Sequence, residues 1–339
     1  MKELQGAEIH PWQFIKPGEP VEIIFPCAPP NSKEHLSQTK HVLEEYGLNI
    51  ICDENALDPQ KAPFQFYANT LKKRVQNFID ALEGPARVLW AFRGRFGAVE
   101  VIDQLEILKY TPPKIPKLVV GFSDVTHFHG LVSKWGWTSL HAPVAGIAQE
   151  TYGVTRVETN KLASLKSVVD VLTGKIQKLQ YEFEVLYHPN PSLDTIISGS
   201  VMGGNATLVK DMQHTSTAMP SKGRFIFLED TREDPKRLNR VLVSLLRTGF
   251  FDEAKAIIFG HLPIMGAQDQ REASLANIKL FVEDHLKPHG LYLPVLYGAD
   301  FGHGEENEVL PFGTAANLSF QGKKAILNVQ VAGRSFAEE

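Results

Sequence analysis

Cysteine is scarce in this chain of 339 residues, which contains only Cys27 and Cys52. Each of the two lies in or beside a segment with the composition of a strand, so they could pair in principle. A chain with so few cysteines is more typical of a reducing compartment than of a disulfide-stabilised secreted protein. We therefore expect two free, buried thiols.

Long apolar runs are also missing. No stretch of about 18 consecutive apolar residues occurs, which predicts that the chain does not cross a membrane. The first residues, Met1 to Glu8, contain no apolar run, so no signal peptide is predicted. The expected location is the cytoplasm.

The sequence lacks an excess of positive charge and a metal-binding pattern. Lys and Arg number 35 against 39 Asp and Glu, and no basic cluster occurs, which argues against a nucleic-acid partner. His127, His129 and His141 are the candidate metal ligands. His127 and His129 are two residues apart, and residues at this spacing do not face one another on a helix. No Cys, Asp or Glu spacing completes a zinc site. We predict neither a metal nor a cofactor.

The first 150 residues alternate between short apolar runs and helical patterns. Predicted strands cover 21–25, 48–52, 87–92 and 118–120, and predicted helices cover 32–46, 71–82, 98–105 and 125–134. Such alternation is typical of βαβ units with a parallel sheet. Ligand sites in these sheets lie beyond the carboxyl ends of the strands. The loops Pro26–Pro30, Arg93–Gly97 and Gly121–Asp124 should therefore converge.

Ser123 occupies the turn between a predicted strand and a predicted helix. A strand, tight turn and helix with Ser at the tip expose a hydroxyl for nucleophilic attack. The backbone N–H of Asp124 would point to the place where an oxyanion forms. The motif is G-x-S-D and differs from the G-x-S-x-G of α/β-hydrolases. A Ser-Asp pair at a strand end is also typical of a helix N-cap, so both interpretations stay open.

The pattern changes after about residue 147. We interpret 151–190 as a linker or crossover with one helix near 162–172. Further on, predicted strands cover 224–229, 256–260, 294–298 and 325–331, predicted helices cover 236–248 and 275–286, and 196–205 is predicted as a strand running into a Gly-rich turn. The predicted fold is α/β. An N-terminal parallel-sheet α/β domain (13–150) carries the Ser elbow, and a C-terminal α+β domain (191–335) follows.

Three polar residues share a position at or just beyond the end of an apolar strand, namely Ser123, Glu229 and His303. A serine hydroxyl needs an adjacent base to become a nucleophile, and a neutral His can take its proton. A carboxylate on the other imidazole nitrogen fixes the tautomer and stabilises the imidazolium. The alternative is structural, with Glu229 as a capping or ion-pairing residue and His303 as a loop residue flanked by glycines.

Six short motifs in order resemble the LD-carboxypeptidase family of serine peptidases, which includes muramoyl-tetrapeptide carboxypeptidases and microcin C immunity peptidases. The family patterns are R-G-G-Y/W-G, G-Y-S-D-x-T, H-G-P, G-x-x-x-G-G-N, an L-E-D after a hydrophobic residue, and G-H followed by L-P-F-G. The matching segments are 93–97, 121–126, 141–143, 199–205, 227–230, and 302–303 with 310–313. Together they extend over almost the whole chain, from about residue 20 to 320.

The resemblance implies roles for individual residues. Ser123 would be the nucleophile, His303 the general base and Glu229 the carboxylate that orients it, with the site between the two domains. The oxyanion hole would combine the Asp124 N–H with an N–H from Gly94 or Arg95. Ala142 in place of the family Gly is a minor departure from the family pattern, and two further positions depart from it. Arg95 stands where the family has a second Gly, and Cys27 stands where the family usually has Ser.

The resemblance also implies a reaction, the hydrolysis of the bond between meso-diaminopimelate or L-Lys and terminal D-Ala in murein tetrapeptide during cell-wall recycling. Arg93 and Arg95 are the candidates for binding the substrate carboxylate. One alternative is a microcin C-type immunity peptidase that cleaves aminoacyl or peptidyl nucleotides. It would need an aromatic stacking surface, for which Tyr152 is the candidate. Another is a non-catalytic muropeptide-binding protein. A homodimer is a family expectation.

Overall fold

The computed structural model describes residues 12–146, 156–190, 196–231, 233–298, 300–304 and 306–331, with side chains of the segment after 155 described from Ala163 onward. Two β-sheets, of six and eight strands, form its framework. Across these ranges, no helix has both the length and the apolar character needed to span a bilayer.

The first sheet confirms the predicted parallel arrangement. Its strands are β1 (Pro20–Ile24), β2 (Asn49–Ile51), β3 (Val88–Ala91), β4 (Leu118–Gly121), β5 (Ser139–His141) and β12 (Leu310–Phe312). Their order is β12-β5-β4-β3-β1-β2, and every pair is parallel except β12 with β5. The order in which successive strands join the sheet therefore reverses between β1 and β3, and ligands bind at such a switch point.

Four helices connect these strands, close to the predicted positions. They are α1 (Lys33–Glu45), α2 (Leu71–Glu83), α3 (Ala98–Ile107) and α4 (Thr126–Lys134). The hydroxyls of Ser32 and Thr70 accept hydrogen bonds from the third backbone N–H of α1 and α2, as N-caps do. The apolar faces of these helices pack on the sheet because their apolar residues recur at helical spacing.

The second sheet belongs to the later part of the chain. Its strands are β6 (Lys178–Tyr187), β7 (Ile196–Gly199), β8 (Val201–Asn205), β9 (Phe225–Glu229), β10 (Ala256–Phe259), β11 (Val295–Tyr297), β13 (Ala316–Gln321) and β14 (Lys324–Gln330). Its order is β7-β13-β14-β6-β11-β10-β9-β8, and the four strands from β11 to β8 are parallel to one another. The helices of this half are α6 (Ala206–Asp211), α7 (Pro235–Arg247) and α8 (Gln270–Phe281).

The segment 151–190 contains more regular structure than a linker. The helix predicted near 162–172 is present as α5 (Arg156–Leu172), and its Leu165 and Val168 are buried in the core of the first sheet. The strand β6 was not predicted, although its alternation of apolar and polar residues is the period-two pattern of a half-buried strand. The domain boundaries at 150 and 190 stay a prediction.

The glycines at 203 and 204 lie inside β8, so the prediction of a Gly-rich turn there is wrong. Gly203 has a φ of +148°, and a Cβ on it would lie 1.8 Å from the Phe227 carbonyl oxygen. A Cβ on Gly204 would lie 2.6 Å from Thr126 Oγ1. The glycines are needed because β8 passes very close both to β9 and to the helix that follows the Ser123 turn.

We expect Gly203→Ala to lower the free energy of unfolding by about 3 kcal/mol, because overpacking adds to the strain of a positive φ. Gly322→Ala is the matched control, since Gly322 also has a positive φ, +62°, but has nothing within 4 Å of the added Cβ. The control should lose only about 1 kcal/mol. Urea unfolding followed by circular dichroism measures both. Equal losses of unfolding free energy in the two variants would show that the close approach of β8 to β9 adds no cost to a side chain at position 203.

Candidate active site

Ser123 lies at a sharp turn between β4 and α4, as predicted. A short 3-10 helix covers Ser123–Val125 and leads directly into α4. Ser123 has a φ of +61°, a left-handed conformation that few residues other than glycine adopt. Such backbone strain is concentrated at functional sites. Gly121 precedes it with a φ of +153°, and a Cβ there would lie 2.9 Å from Val125 Cγ2.

The loop after β3 lies directly against Ser123. A Cβ on Gly94 would be 2.9 Å from Ser123 Cβ and 3.1 Å from both Ser123 Oγ and the Asp124 nitrogen. The Gly94 carbonyl also accepts a hydrogen bond from the Ala28 N–H at 3.3 Å. The three predicted loops therefore do converge. The first N–H groups of a helix have no partner within it, so the Asp124 N–H is suited to bind an anion beside Ser123.

The two arginines of this loop differ in their surroundings. Arg95 is exposed and has a φ of +77°, a conformation that glycine adopts without strain. Arg93 is half-buried, and its Nη1 donates to Asn31 Oδ1 at 2.5 Å and to the Pro29 carbonyl at 3.5 Å. The two arginines directly flank Gly94, which lies against Ser123.

The buried Asp124 side chain connects the Ser123 turn to α3. Its Oδ2 accepts a hydrogen bond from the Ala98 N–H, the first of α3, at 2.8 Å. A carboxylate at a helix N-terminus is favoured by the helix dipole. Burial, together with the neighbouring Asp124, raises the pKa of the Cys27 thiol well above its usual value. Cys27 therefore stays protonated. Both cysteines are free, as expected, but only Cys27 is buried, whereas Cys52 is half-buried.

Glu229 and His303 form a hydrogen bond, although they are 74 positions apart in the chain. Glu229 is fully buried at the end of β9, and its Oε2 lies 2.7 Å from His303 Nδ1. Gly302 allows this approach, because a Cβ there would lie 2.4 Å from Glu229 Oε2. The His303 ring lies 4.7 Å, centroid to centroid, from the ring of Phe122, the residue before Ser123.

The structure thus places His303 beside the Ser123 turn. Among the described residues, the Ser123 hydroxyl makes no hydrogen bond to the imidazole. Catalytic hydrogen bonds are often long in enzymes without substrate and shorten when the complex forms. The structure therefore joins Glu229 and His303 by a hydrogen bond and places the Ser123 turn next to this pair.

Glu229 and His303 each stabilise the charged form of the other. Burial raises the pKa of Glu229, but the charge and hydrogen bond of the His303 imidazole, together with the nearby His141 imidazole, outweigh burial and lower it to about 2. Burial lowers the pKa of His303, but the Glu229 carboxylate outweighs burial and raises it above its usual value. Glu229 is therefore ionised at neutral pH, as a carboxylate that orients an imidazole must be.

The neighbouring carboxylate, Asp230, has a different role. It accepts hydrogen bonds from Asn205 Nδ2 at 2.8 Å and from the Thr207 N–H and hydroxyl at 3.0 and 2.8 Å. Burial and the charge of Glu229 raise its pKa. Asp230 thus fixes the start of α6 to the end of β9.

The three histidines considered as metal ligands have other contacts. His129 Nε2 lies 3.0 Å from the Gly121 carbonyl, and burial lowers the His129 pKa to about 3. His141 Nε2 lies 3.9 Å from Glu229 Oε1. No group of three His, Cys, Asp or Glu arranged to hold a metal occurs in the part of the chain that the structure describes. The contact of His141 with Glu229 was missed at the level of sequence, where 88 residues separate them.

Family models match both halves of the chain. Residues 21–142 match the LD-carboxypeptidase N-terminal domain, and residues 198–318 match the LD-carboxypeptidase C-terminal domain. Ser123 falls in the first match, and Glu229 and His303 fall in the second.

Individual proteins match over most of their length. The murein tetrapeptide carboxypeptidase of Pseudomonas aeruginosa is 25% identical over 84% of this chain and 88% of its own. The crystal structure of muramoyltetrapeptide carboxypeptidase from Oxalobacter formigenes aligns with a TM-score of 0.71 and 22% identity, over 92% and 98% of the two chains.

A third match is the microcin C7 self-immunity protein MccF of Escherichia coli, 22% identical over 78% of this chain and 81% of its own. A structure of MccF in complex with aspartyl sulfamoyl adenosine aligns with a TM-score of 0.70 and 17% identity, over 96% and 98% of the two chains. The two structural alignments show a shared fold.

We expect Glu229→Gln to lower the pKa of His303, because the carboxylate that stabilises its imidazolium is removed. A titration of the His303 ring resonances by NMR measures the change. Glu182→Gln is the control, since Glu182 forms a surface ion pair with Lys324 and should leave His303 unaffected. An unchanged His303 titration in Glu229→Gln would mean that the two residues are not coupled in solution.

Proposed function

This chain belongs to the LD-carboxypeptidase family and is a carboxypeptidase, and we propose that Ser123, His303 and Glu229 form its catalytic triad. The observation that carries the proposal is the 2.7 Å hydrogen bond between Glu229 and His303, made beside the strained Ser123 turn. A buried carboxylate, an imidazole and a serine in this order of contact perform acyl transfer on many unrelated folds.

The proposed substrate is murein tetrapeptide, cleaved between meso-diaminopimelate or L-Lys and the terminal D-Ala. The P. aeruginosa relative, a murein tetrapeptide carboxypeptidase, supports this substrate. The corresponding role is the recycling of cell-wall peptides, in the cytoplasm and as a homodimer. The active site would lie where the domains 13–150 and 191–335 meet.

The mechanism follows from the roles of the three residues. His303 Nε2 accepts the Ser123 hydroxyl proton while Ser123 Oγ attacks the carbonyl carbon. The N–H groups of Asp124 and of Gly94 or Arg95 stabilise the oxyanion. His303 then gives its proton to the departing amine of D-Ala, and an acyl-enzyme on Ser123 remains. Water attacks this ester with His303 again as the base, which restores the hydroxyl and releases the shortened peptide.

Two arginines are the proposed ligands of the substrate's terminal carboxylate. A bond from a guanidinium to a carboxylate is about twice as strong as a neutral hydrogen bond. Arg95 is exposed next to the proposed oxyanion hole, whereas Arg93 already donates to the loop after β1. Arg95 is therefore the better placed of the two.

One feature favours the second candidate, a peptidase that cleaves aminoacyl or peptidyl nucleotides. The rings of Phe64 and Phe66 stack at 5.4 Å and are 60% and 45% exposed, and Phe96, in the loop that contains Gly94, is 45% exposed. Exposed aromatic faces stack nucleobases. The MccF structure with a sulfamoyl adenosine ligand supports this alternative. Tyr152, the candidate from the sequence, lies outside the described residues.

A mass-spectrometric screen of murein tetra- and pentapeptides tests the proposal. We expect the wild type to release D-Ala from tetrapeptide, and Ser123→Ala to lose at least about 10⁴-fold in kcat while still binding the peptide, since only the nucleophile is removed.

Aminoacyl sulfamoyl adenosine is the competing substrate in the same screen. Cleavage of this compound without D-Ala release would establish the nucleotide alternative. Tight binding of tetrapeptide without any hydrolysis would establish the third possibility, a non-catalytic muropeptide-binding protein.

We expect Arg95→Gln to raise KM for tetrapeptide by about 10-fold, because a charge-assisted hydrogen bond to the terminal carboxylate is lost. The same variant should leave KM for a tetrapeptide with a C-terminal amide within about 2-fold of the wild type. Arg93→Gln is the matched comparison. A KM effect that is equal for acid and amide would exclude Arg95 as the carboxylate ligand.

A further inference from the structure

We propose that His141 is a positioning residue that holds the second oxygen of the Glu229 carboxylate during catalysis. This inference rests on the proposed function, because Glu229 is the carboxylate of the proposed triad. It adds a fourth side chain to the site, and it comes from the half of the chain that also carries Ser123.

The position of His141 in the fold brings it to the catalytic carboxylate. It is the last residue of β5 and lies opposite Gly121 at the end of β4, the strand that leads to Ser123. On its other side it pairs with Leu310 of β12. Its side chain and that of Glu229 are both fully buried, and His141 Nε2 lies 3.9 Å from Glu229 Oε1.

The polar atoms that face one another here lack partners. Among the described residues, Glu229 Oε1 and both ring nitrogens of His141 are buried without a hydrogen bond. Leaving such groups unpaired is costly, and most buried polar groups are paired. Hydrogen-bond distance requires the two side chains to approach by only about 1 Å. The bond from His141 Nε2–H to Glu229 Oε1 would pair two of these three atoms.

The surroundings of the His141 ring direct it toward Glu229. The rings of Phe122, Phe227 and Phe312 pack around it at 6.0, 5.0 and 5.7 Å. The titratable groups that face it are His129 of α4, with ring centroids 6.3 Å apart, and Glu229 with its neighbours Asp230 and His303. His129 is a neutral ring whose Nε2 faces the Gly121 carbonyl, and its Nδ1 has no hydrogen bond among the described residues. Glu229 is therefore the charged acceptor beside His141.

Loss of the His141 donor should shift the pH dependence of catalysis in one direction. Glu229 Oε2 holds His303, and a donor on Oε1 prevents rotation of the carboxylate and takes up part of its charge. Without that donor, the carboxylate attracts the proton of His303 more strongly. The neutral, base-competent imidazole then forms only at higher pH. Loss of His141 should therefore lower kcat and move the acid limb of the pH profile upward.

The test compares His141→Leu, which removes the donor at similar volume, with His141→Gln, whose Nε2 can replace the imidazole donor. We expect His141→Leu to lose about 10- to 100-fold in kcat, as is usual for groups that orient a functional side chain. Its KM should change little, and its acid limb should move to higher pH. His141→Gln should recover most of kcat and the wild-type acid limb.

His127→Gln is the control for the loss of a buried imidazole, because His127 faces Asp124 and Asp211. It should leave the acid limb in place. Equal losses in His141→Leu and His141→Gln, or an unmoved acid limb in His141→Leu, would overturn the proposal. No D-Ala release by the wild type would instead contradict the proposed function.

A measurement on the wild type covers the case in which His141→Leu does not fold. With a phosphonate analogue bound to Ser123, ¹⁵N-labelled protein should show a slowly exchanging Nε2–H resonance from His141. If the Nε2 of His141 carries no protected proton in that complex, the proposed bond does not exist.

Discussion

The hydrogen bond between the buried Glu229 carboxylate and His303 is the interaction on which the rest of the site depends. A buried carboxylate is costly unless a donor or a charge compensates it, and here two imidazoles face it. The glycine at 302 is required because any side chain would displace the carboxylate. The contact between Glu229 and His303 therefore requires glycine at position 302.

The two halves of the chain hold this pair against the Ser123 turn through contacts made by backbone and small side chains. The strand β12 from the second half completes the first sheet next to β5. Thr126 Oγ1, just after the Ser123 turn, accepts the Asn205 N–H at 3.0 Å, and Gly204 lies against the same side chain. These contacts connect the sheet that carries Ser123 to the sheet that carries Glu229. Both halves of the chain are therefore needed to form the site.

Local pattern was sufficient for β1 to β4 of the first sheet, because these strands are apolar runs, and for its helices, which have capping residues such as Ser32. It was also sufficient for the turn at Ser123. It was insufficient for β5 and β12, each only three residues long, and for Gly203, whose role depends on the Phe227 carbonyl in another strand. The contact of His141 with Glu229 depends on how the two sheets pack, which neither spacing nor composition encodes.

Catalysis by the proposed triad requires that His303 activate Ser123, and the rate at which a fluorophosphonate labels the protein measures this activation most directly. Peptide mapping should place the label on Ser123, and His303→Ala should slow labelling by at least about 100-fold, since the general base is lost. Labelling at another residue, or at the same rate in His303→Ala, would contradict the proposed triad.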